Sequence, residues 1–432
     1  DKIAALEAQM RVMMQEIQVL KAERAEEKAE QAALKEQVDA IEIKTQNAVA
    51  SITPAAGEEE EAVQVSIKGG TPKIQKGEFS WQPMGRIHLD AGVIDDDKRD
   101  HPNSAEFRRA RLGMKGQVSE NFGYKAEIDF ANEGVAIKDM YMNYTGIDKT
   151  ELRVGHFKPG YSLEDMTSSN DITFIERSAA SEPFSLSEQL GAGIIHHGDR
   201  HHIAVGGFND DAGRESSDDE QWSVSARLAG TPYQEGERLV HLGASVSYRE
   251  PDQANDRFDY DSRAENRLQT ADSVSAVIND GEHSTVAGLE AAAVAGPLSV
   301  QGEYVMADIE NRAGNDPVFN GASAQIAYTL TGESRPYSIQ KGAFGGIRPA
   351  RPFDLSKGDW GAFEVAARYS HLDLNDGGIN GGEMNNITLG ANWYLNDYVR
   401  LMMNVIMVDT DDNAVTPDDD PTVFLTRSQV KF

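Results

Sequence analysis

Residues 121–131 read NFGYKAEIDFA, and apolar side chains occupy every even position of this segment. The odd positions include Lys125, Glu127 and Asp129. Because successive side chains of a β-strand point to opposite faces, the alternation predicts a strand with one apolar face and one charged face. A chain built from such strands needs a separate environment for each face.

The same pattern recurs about sixteen times between residues 79 and 432, in segments of roughly ten residues separated by Gly, Asn, Asp and Pro. Long acidic connections such as 210–220 and 409–420 alternate with short ones such as 119–120 and 396–397. This rhythm is typical of outer-membrane barrels, which alternate long external loops with short periplasmic turns. It predicts an all-β transmembrane barrel of 16 antiparallel strands over residues 79–432.

Three intervals fit this rhythm less well. The connection at 132–134 is short where a loop is expected, and that at 331–358 is long where a turn is expected. Residues 264–278 resemble a further strand, but a seventeenth would place the two chain ends on opposite sides of the membrane. They are therefore assigned to the loop after the ninth strand.

The two faces of such a barrel meet lipid outside and water inside, and closure satisfies every backbone hydrogen bond. A soluble β-sandwich is the alternative, although sandwiches seldom combine this loop rhythm with so polar a second face. The sequence has no run of about 18 apolar residues, so no transmembrane helix is expected.

Residues 1–48 contain no Gly or Pro and are rich in helix-forming residues. A heptad pattern predicts an α-helical coiled coil, with a/d positions at Ile3, Leu6, Met10, Met13, Ile17, Leu20, Arg24, Glu27, Gln31, Leu34, Val38 and Ile41. A solitary charged helix is the alternative. Residues 49–78, with Pro54, Pro72 and an acidic run, predict a linker.

The composition excludes several classes of function. With 71 acidic and 41 basic residues, the net charge of −30 argues against a nucleic-acid partner. There is no cysteine, so disulfides and thiolate chemistry are impossible. The segment HHGDRHH (196–202) places neighbouring histidines on opposite faces of strands, so no metal site is predicted. No catalytic or nucleotide-binding motif is present, and an enzyme is not expected.

Several ordered segments carry a family resemblance: FRRARLGMKG (107–116), VGHFKPGYSLEDMTSSNDITFIERSAASEPF (154–184), GLEAAAVAGPLSVQGEY (288–304), LTGESRPYS (330–338), WGAFEVAARYSHLDLN (360–375) and NWYLNDYVRLMMNV (392–405). Together they resemble the phosphate-selective porin O and P family. The resemblance implies a sixteen-stranded, trimeric outer-membrane porin, and it implies a long turn where the connection 331–358 stands. The C-terminal Phe432 resembles the aromatic signal read by the barrel assembly machinery.

Strand parity predicts the pore-lining side chains. Alternation with outward apolar residues turns the following side chains inward: Arg86, His88, Arg109, Arg111, Lys115, Lys125, Glu127, Asp129, Arg153, Glu364 and Arg368. Clustered inward cations would focus anions along a channel. The alternative is that these cations merely pair with lumen carboxylates such as Glu127 and Asp129.

The connection after the fifth strand, residues 158–187, is predicted to fold inward as a constriction loop. Its charged and amide candidates are Glu164, Asp165, Asn170, Asp171, Glu176 and Arg177. The phosphate-selective relatives carry lysines in the part that resembles LEDMTSSND, whereas this chain has Asp165 and Asn170 there. This departure and the acidic composition favour weak or cation preference over phosphate selectivity.

The leading hypothesis is a porin in the bacterial outer membrane, with its coiled coil in the periplasm, that lets small hydrophilic solutes and ions diffuse. Two alternatives are a protein that tethers or spaces the outer membrane and the cell wall, and a phosphate- or anion-selective channel. The expected partners are two further copies in a homotrimer, membrane lipid, lipopolysaccharide, the assembly machinery and peptidoglycan. No cofactor is expected beyond diffuse divalent cations at the acidic loops. A chain that opens on Asp1, without a basic and apolar leader, suggests a processed export substrate or a trimmed sequence.

Overall fold

A computed structural model describes residues 62–68, 70–131, 134–209, 222–251, 256–269, 271–411 and 418–432. The chain divides into a unit of residues 1–62 and a unit of residues 63–432, and the account below concerns the second. The coiled coil predicted at 1–48 lies outside the described residues and stays a prediction, as does the periplasmic position assigned to it.

The described residues form 22 strands and one short helix, α1 (Leu163–Met166). In chain order the strands are β1 (Gln64–Lys68), β2 (Thr71–Lys76), β3 (Phe79–Asp95), β4 (Ser104–Ser119), β5 (Phe122–Asp129), β6 (Ala136–Ile147), β7 (Thr150–Phe157), β8 (Gln189–His197), β9 (His201–Asn209), β10 (Trp222–Glu235), β11 (Arg238–Glu250), β12 (Phe258–Ser262), β13 (Val274–Ile278), β14 (Gly281–Ala295), β15 (Leu298–Asn311), β16 (Val318–Thr329), β17 (Tyr337–Ser338), β18 (Ala343–Phe344), β19 (Ala362–Asp376), β20 (Ile379–Tyr394), β21 (Val399–Thr410) and β22 (Thr422–Lys431).

Sixteen of these strands, β3–β11, β14–β16 and β19–β22, pair antiparallel with their neighbours around a closed barrel. The seam is the pairing of β22 with β3, in which Lys431 lies opposite Arg86. At its end, the Gly85 N–H donates to the Phe432 carbonyl (2.9 Å) and the Phe432 N–H donates to the Gly85 carbonyl (3.0 Å). The predicted sixteen-stranded antiparallel barrel is confirmed.

Three small hairpins are not part of the sixteen-stranded barrel wall. β1 and β2 lie within the interval 49–78 that composition predicts as a linker, and β2 pairs with the start of β3. Here Gly70 and Gly77, both at positive φ, permit turns and so allow strands between them. β12–β13 occupies the loop after the ninth barrel strand, where residues 264–278 were assigned, and β17–β18 occupies the long connection 331–358.

One half of the barrel interior is filled by an apolar core. Phe258, Tyr260 and Val274 of the β12–β13 hairpin are buried in one cluster with inward side chains such as Ile309 and Leu372. Along β15, Val305, Ala307 and Ile309 are buried whereas Tyr304 and Met306 are exposed, so both faces of this strand are apolar. The open channel is therefore displaced toward β3–β9.

Among the described residues, no helix has the length and apolarity needed to cross a lipid bilayer.

Candidate functional site

The loop between β7 and β8, here called the inner loop (residues 158–187), folds into the barrel after a strand that contains a glycine at positive φ. Gly155 has φ 134°, and a Cβ at this position would lie 2.4 Å from the Met140 carbonyl oxygen. Only glycine accommodates this backbone and this approach. Gly155 therefore allows β7 to approach β6 closely near the end of the strand that leads into the inner loop.

The inner loop is anchored to the far wall of the barrel through its own backbone carbonyls. The Arg400 guanidinium donates to the carbonyl oxygens of Ile172 (2.7 Å) and Thr173 (2.9 Å), and the Asn392 amide also donates to Thr173 (2.9 Å). The loop therefore crosses the lumen from β7 to β20 and β21. It divides the barrel into a filled side and an open side.

Glu164 at the start of α1 locks the inner loop internally. Its carboxylate accepts hydrogen bonds from the hydroxyls of Ser178 (2.7 Å) and Ser181 (2.8 Å) and from Arg368 Nη1 (3.2 Å). Glu164 and Arg368 are both buried. This carboxylate is a structural acceptor rather than part of the open channel surface.

A second inward segment supports the first. Glu265, in the loop that carries β12 and β13, is buried and accepts hydrogen bonds from the Ala179 N–H (3.2 Å) and from Arg368, Ser370 and Thr388. The inner loop is thus held on one side by the loop between β12 and β13 and by the barrel strands β19 and β20.

The open side contains a cavity of about 870 Å³. Among the described residues that line it, thirteen are basic and eight are acidic. The basic ones are Arg86, Arg108, Arg109, Arg111, Lys115, Lys125, Lys138, Arg153, Lys158, Arg177, Arg267, Lys341 and Lys431, and the acidic ones are Glu127, Asp139, Glu151, Asp165, Asp171, Glu176, Glu182 and Glu188. The lining is net positive although the chain as a whole is strongly acidic.

Glu176 of the inner loop is shared by three arginines. Its carboxylate lies 3.0 Å from Arg108 Nε, 3.3 Å from Arg109 Nη1 and 2.6 Å from Arg427 Nη2. Burial alone would raise the pKa of Glu176, but the three guanidinium groups hold that pKa well below its usual range. Because the pKa is lowered on folding, this pairing stabilises the fold above the usual glutamate pKa, and the stabilisation is lost as pH falls through the lowered value.

Glu127 is shared in the same way on the wall. It lies 3.1 Å from Arg86 Nη2, 3.2 Å from Arg111 Nη1 and 3.3 Å from Lys125 Nζ. Arg111 also donates from Nε to Asp129 (2.7 Å). The predicted alternative of mutual pairing thus describes the contacts of this wall cluster, in which Lys125 also pairs with Asp139 and the cations and acids balance.

Asp165 does not present a bare negative charge to the channel. Its Oδ1 lies 2.7 Å from Lys158 Nζ and 3.6 Å from Arg177 Nε, and its side chain is inaccessible to solvent. Asp171 binds Lys431 at 2.7 Å. Asn170 Oδ1 lies 3.0 Å from His88 Nε2. The acidic appearance of LEDMTSSND therefore overstates the negative charge in the lumen.

Glu188, just before β8, is a further acidic residue of the cavity lining. Burial disfavours its ionised form, yet the nearby Lys158 and Lys138 lower the pKa of Glu188 to about 2. Glu182 differs, since burial raises its pKa and the paired Arg267 opposes that rise only in part.

The predicted pore-lining residues fall into two groups. Arg86, Arg109, Arg111, Lys115, Lys125, Glu127 and Arg153 line the cavity, and Arg153 also lies over the Tyr141 ring, with 4.2 Å from Cζ to the ring centroid. His88, Asp129, Glu364 and Arg368 face inward but are not among the described residues that line it, because the inner loop or neighbouring side chains cover them. Glu364, for example, accepts hydrogen bonds from the Asn392 amide (2.7 Å) and the Tyr394 hydroxyl (2.8 Å).

Parity alone missed two arginines. The register between β3 and β4 shifts so that Leu89 pairs with Phe107 and His88 with Arg109, which leaves Arg108 as a bulge residue. Arg108 and Arg109 therefore both reach Glu176. The sequence does contain a signal for this bulge, because Phe107 and Ala110 cannot both face lipid in a regular strand. The second arginine is Arg427, whose inward position follows from the exposed Phe424 and Val430 on the other face of β22.

In the histidine-rich turn, His196 Nδ1 lies 2.9 Å from the Thr150 hydroxyl. Among the described residues, the histidines of 196–202 do not belong to a group of three or more possible metal ligands. Within the part of the chain that the structure describes, the group suited to an ion is the acidic trio Asp97, Asp418 and Asp420. Lys98 Nζ lies 2.6 Å from Asp418, so this trio is already partly compensated.

A closed antiparallel barrel of sixteen strands, with an inward loop that narrows a charged lumen, defines a porin-type outer-membrane channel. The profile of the family phosphate-selective porin O and P matches residues 82–432, and the chain belongs to this family. The predicted resemblance is confirmed, and family membership makes the protein a channel of the outer membrane rather than an enzyme.

Two relatives and two solved structures show the extent of the similarity. An uncharacterized protein of Caulobacter vibrioides is 30% identical over 355 residues, which cover 79% of this chain and 71% of the relative. Porin O of Pseudomonas aeruginosa is 28% identical over 416 residues, which cover 86% of this chain and 92% of that protein.

The anion-selective porin from Comamonas acidovorans has a similar structure, with a TM-score of 0.51 at 13% identity over 82% of this chain and 100% of the other. The trimer form of OmpT from Vibrio cholerae matches with a TM-score of 0.51 at 11% identity, over 82% of this chain and 99% of the other. At these identities the two structures support the fold alone.

Proposed function

We propose that this porin is a trimeric diffusion channel with a preference for small anions. The observation that carries the proposal is the excess of thirteen basic over eight acidic side chains around the cavity. A lumen with low-dielectric walls concentrates counter-ions of the opposite sign, so the lining outweighs the distant loop charges. The net charge of −30, from which weak or cation preference is predicted, is a property of the whole chain.

The arrangement of the acids supports the same preference. Glu176 and Glu127 each meet three cations, and Asp165 meets two. The Glu176 cluster keeps a net positive charge, since three arginines meet Glu176 and Asp90, and the Asp165 cluster keeps one because two cations meet a single acid. The Glu127 cluster is balanced, because Arg111 also pairs with Asp129 and Lys125 with Asp139. A passing anion encounters successive positive clusters without a dedicated enclosed site, which favours passage over tight retention.

Relatives point in the same direction. Porin O belongs to a family described as phosphate-selective, and the Comamonas protein is described as anion-selective. Trimer formation is proposed on the same grounds, since a trimer form is described for OmpT. Because Asp165 and Asn170 stand where lysines occur in the phosphate-selective relatives, we expect anion preference of a general kind.

Ion replacement in planar bilayers tests this proposal. Replacing chloride by a bulky organic anion is expected to reduce the single-channel conductance strongly, while replacing potassium by a bulky organic cation should reduce it only slightly. The reverse order would refute anion preference and support the cation alternative. A barrel that inserts but conducts no ions would refute the channel itself.

A further inference from the structure

The β1–β2 hairpin extends beyond the barrel wall and has one apolar face. Val65 pairs with Ile74 and Ile67 pairs with Pro72 across the hairpin, so these four side chains share a face. Gln64, Ser66 and Lys73 occupy the other face. Val65 is 64% exposed and Ile67 is 74% exposed, which are high values for side chains of this kind.

The hairpin is nevertheless held in one position. A tight turn connects β2 to β3, with Ile74 opposite Trp81. The Gln82 amide also donates to the Thr71 hydroxyl (3.0 Å). Gly70 at the tip lies against the Tyr398 ring in the short turn between β20 and β21. The apolar face is thus presented from a fixed place beside the closing seam, at the end of the barrel that carries the short turns.

This face is incomplete as it stands. An isolated two-stranded hairpin is marginal in water, and β1 pairs only with β2 among the described strands, so its outer edge remains open. Ile74 faces the same side as Trp81, so the apolar face continues the outer surface of β3 rather than the lumen. Something outside this chain's barrel must cover it.

The chain that precedes the hairpin indicates what covers it. Residues 1–61 lead directly into Val63, and their heptad pattern extends to Ile41. A heptad seam is buried only against other helices, so the predicted coiled coil would bring copies of the chain together.

We propose that the apolar face of the β1–β2 hairpin, formed by Val65, Ile67, Pro72 and Ile74, is a contact surface between copies of this chain. Each copy delivers its hairpin to the same end of the assembly, where the apolar face packs against the neighbouring copy. The inference rests on the trimeric assembly proposed above. This inference concerns assembly and is independent of the ion preference of the channel.

Charge substitution on the two faces tests the proposal in the full-length protein. The double variant Val65→Asp with Ile67→Asp should lower the temperature at which the oligomer dissociates on semi-native gels, by about 5–10 °C. The matched control, Gln64→Asp with Ser66→Asp, adds the same charge on the opposite face and should leave that temperature unchanged. Equal dissociation temperatures for both variants and the parent would overturn the proposal.

Cysteine labelling gives a second readout that does not depend on a destabilised variant, because the natural chain has no cysteine. In Val65→Cys, a water-soluble maleimide should react more slowly with the oligomer than with the folded, dissociated monomer. In Ser66→Cys, the two rates should agree. If Val65→Cys is equally shielded in both states, lipid or detergent covers the face; if it is equally reactive in both, the face is free. Either result contradicts a contact between copies.

Discussion

Arg427 on β22 and Asp90 on β3 form a two-point ion pair across the closing seam of the barrel, with 2.6 Å from Nε to Oδ1 and 2.6 Å from Nη2 to Oδ2. The same guanidinium donates from Nη1 to the Ile175 carbonyl oxygen (2.5 Å) and from Nη2 to Glu176 (2.6 Å). Both side chains of the seam pair are buried. One arginine therefore joins the two ends of the sheet to the loop that narrows the channel.

Replacing Arg427 by Ala should destabilise the barrel and widen the channel. It leaves Asp90 and Glu176 buried with fewer cations, and removing one partner of a buried ion pair costs about 3–5 kcal/mol. Heat denaturation followed by gel mobility measures the loss of stability, and single-channel conductance measures the widening. The matched control is Arg257→Ala, whose ion pair with Asp259 is solvent-exposed and should contribute little to stability. Unchanged conductance and stability in Arg427→Ala would contradict the role given to this arginine.

Replacing Lys158 by Gln should weaken the anion preference. Lys158 compensates Asp165 at 2.7 Å, so its loss removes one positive charge and leaves Asp165 less compensated. The ratio of chloride to potassium permeability, obtained from reversal potentials, should fall. Lys98→Gln removes the same charge from an external loop and should change the ratio little. An equal effect of both variants would mean that total charge, not the lining, sets the preference.

Mild acidification should strengthen the anion preference through Glu182. Burial raises the pKa of this cavity-lining carboxyl, whereas the pKa of Glu188 is lowered to about 2 and that of Glu176 is also lowered. As the pH falls from neutrality toward the ordinary glutamate pKa, Glu182 therefore gains a proton before Glu188 and Glu176 and releases Arg267, so the lining becomes more positive. Permeability ratios measured across this range should rise as pH falls, and Glu182→Gln should flatten the curve. A preference that weakens on acidification would contradict this assignment.

Replacing Gly155 by Ala should disturb the entry of the inner loop. A Cβ would meet the Met140 carbonyl oxygen at 2.4 Å, and φ 134° is costly for any other residue, by about 1–3 kcal/mol. The control Gly207→Ala, on β9, places its Cβ in open space. Thermal stability and conductance noise should change in Gly155→Ala alone, and identical behaviour of the two variants would remove Gly155 from this role.

The barrel was predictable because its constraint is local. Alternation and turn spacing appear in every strand, so the sixteen barrel strands and the inward face of Arg86, Arg111 and Lys125 follow from parity. The bulge at Arg108 was missed because it lies in the register between two strands, although Phe107 and Ala110 conflict in parity. The contacts of Arg427 depend on residues far away in sequence, and no local pattern reports them.

Two features of the lumen differ from what strand alternation predicts, and they have the same physical cause. Val305, Ala307 and Ile309 face inward and are apolar because the β12–β13 hairpin covers them, whereas alternation alone predicts a wet inner face. The sequence alone overestimates the negative charge that Asp165 contributes to the lumen, because only the folded structure shows that Lys158 pairs with it. Loops that fold back into a lumen change both packing and electrostatics, and strand periodicity carries no information about either.

The central claim is that the lining, rather than the acidic chain as a whole, determines which ions pass. Its most direct test is the zero-current potential of the purified full-length protein in a planar bilayer with a potassium chloride gradient. The account predicts the sign that corresponds to chloride moving more readily than potassium. A potential of the opposite sign would show that the external and partly compensated carboxylates dominate, and would contradict the account.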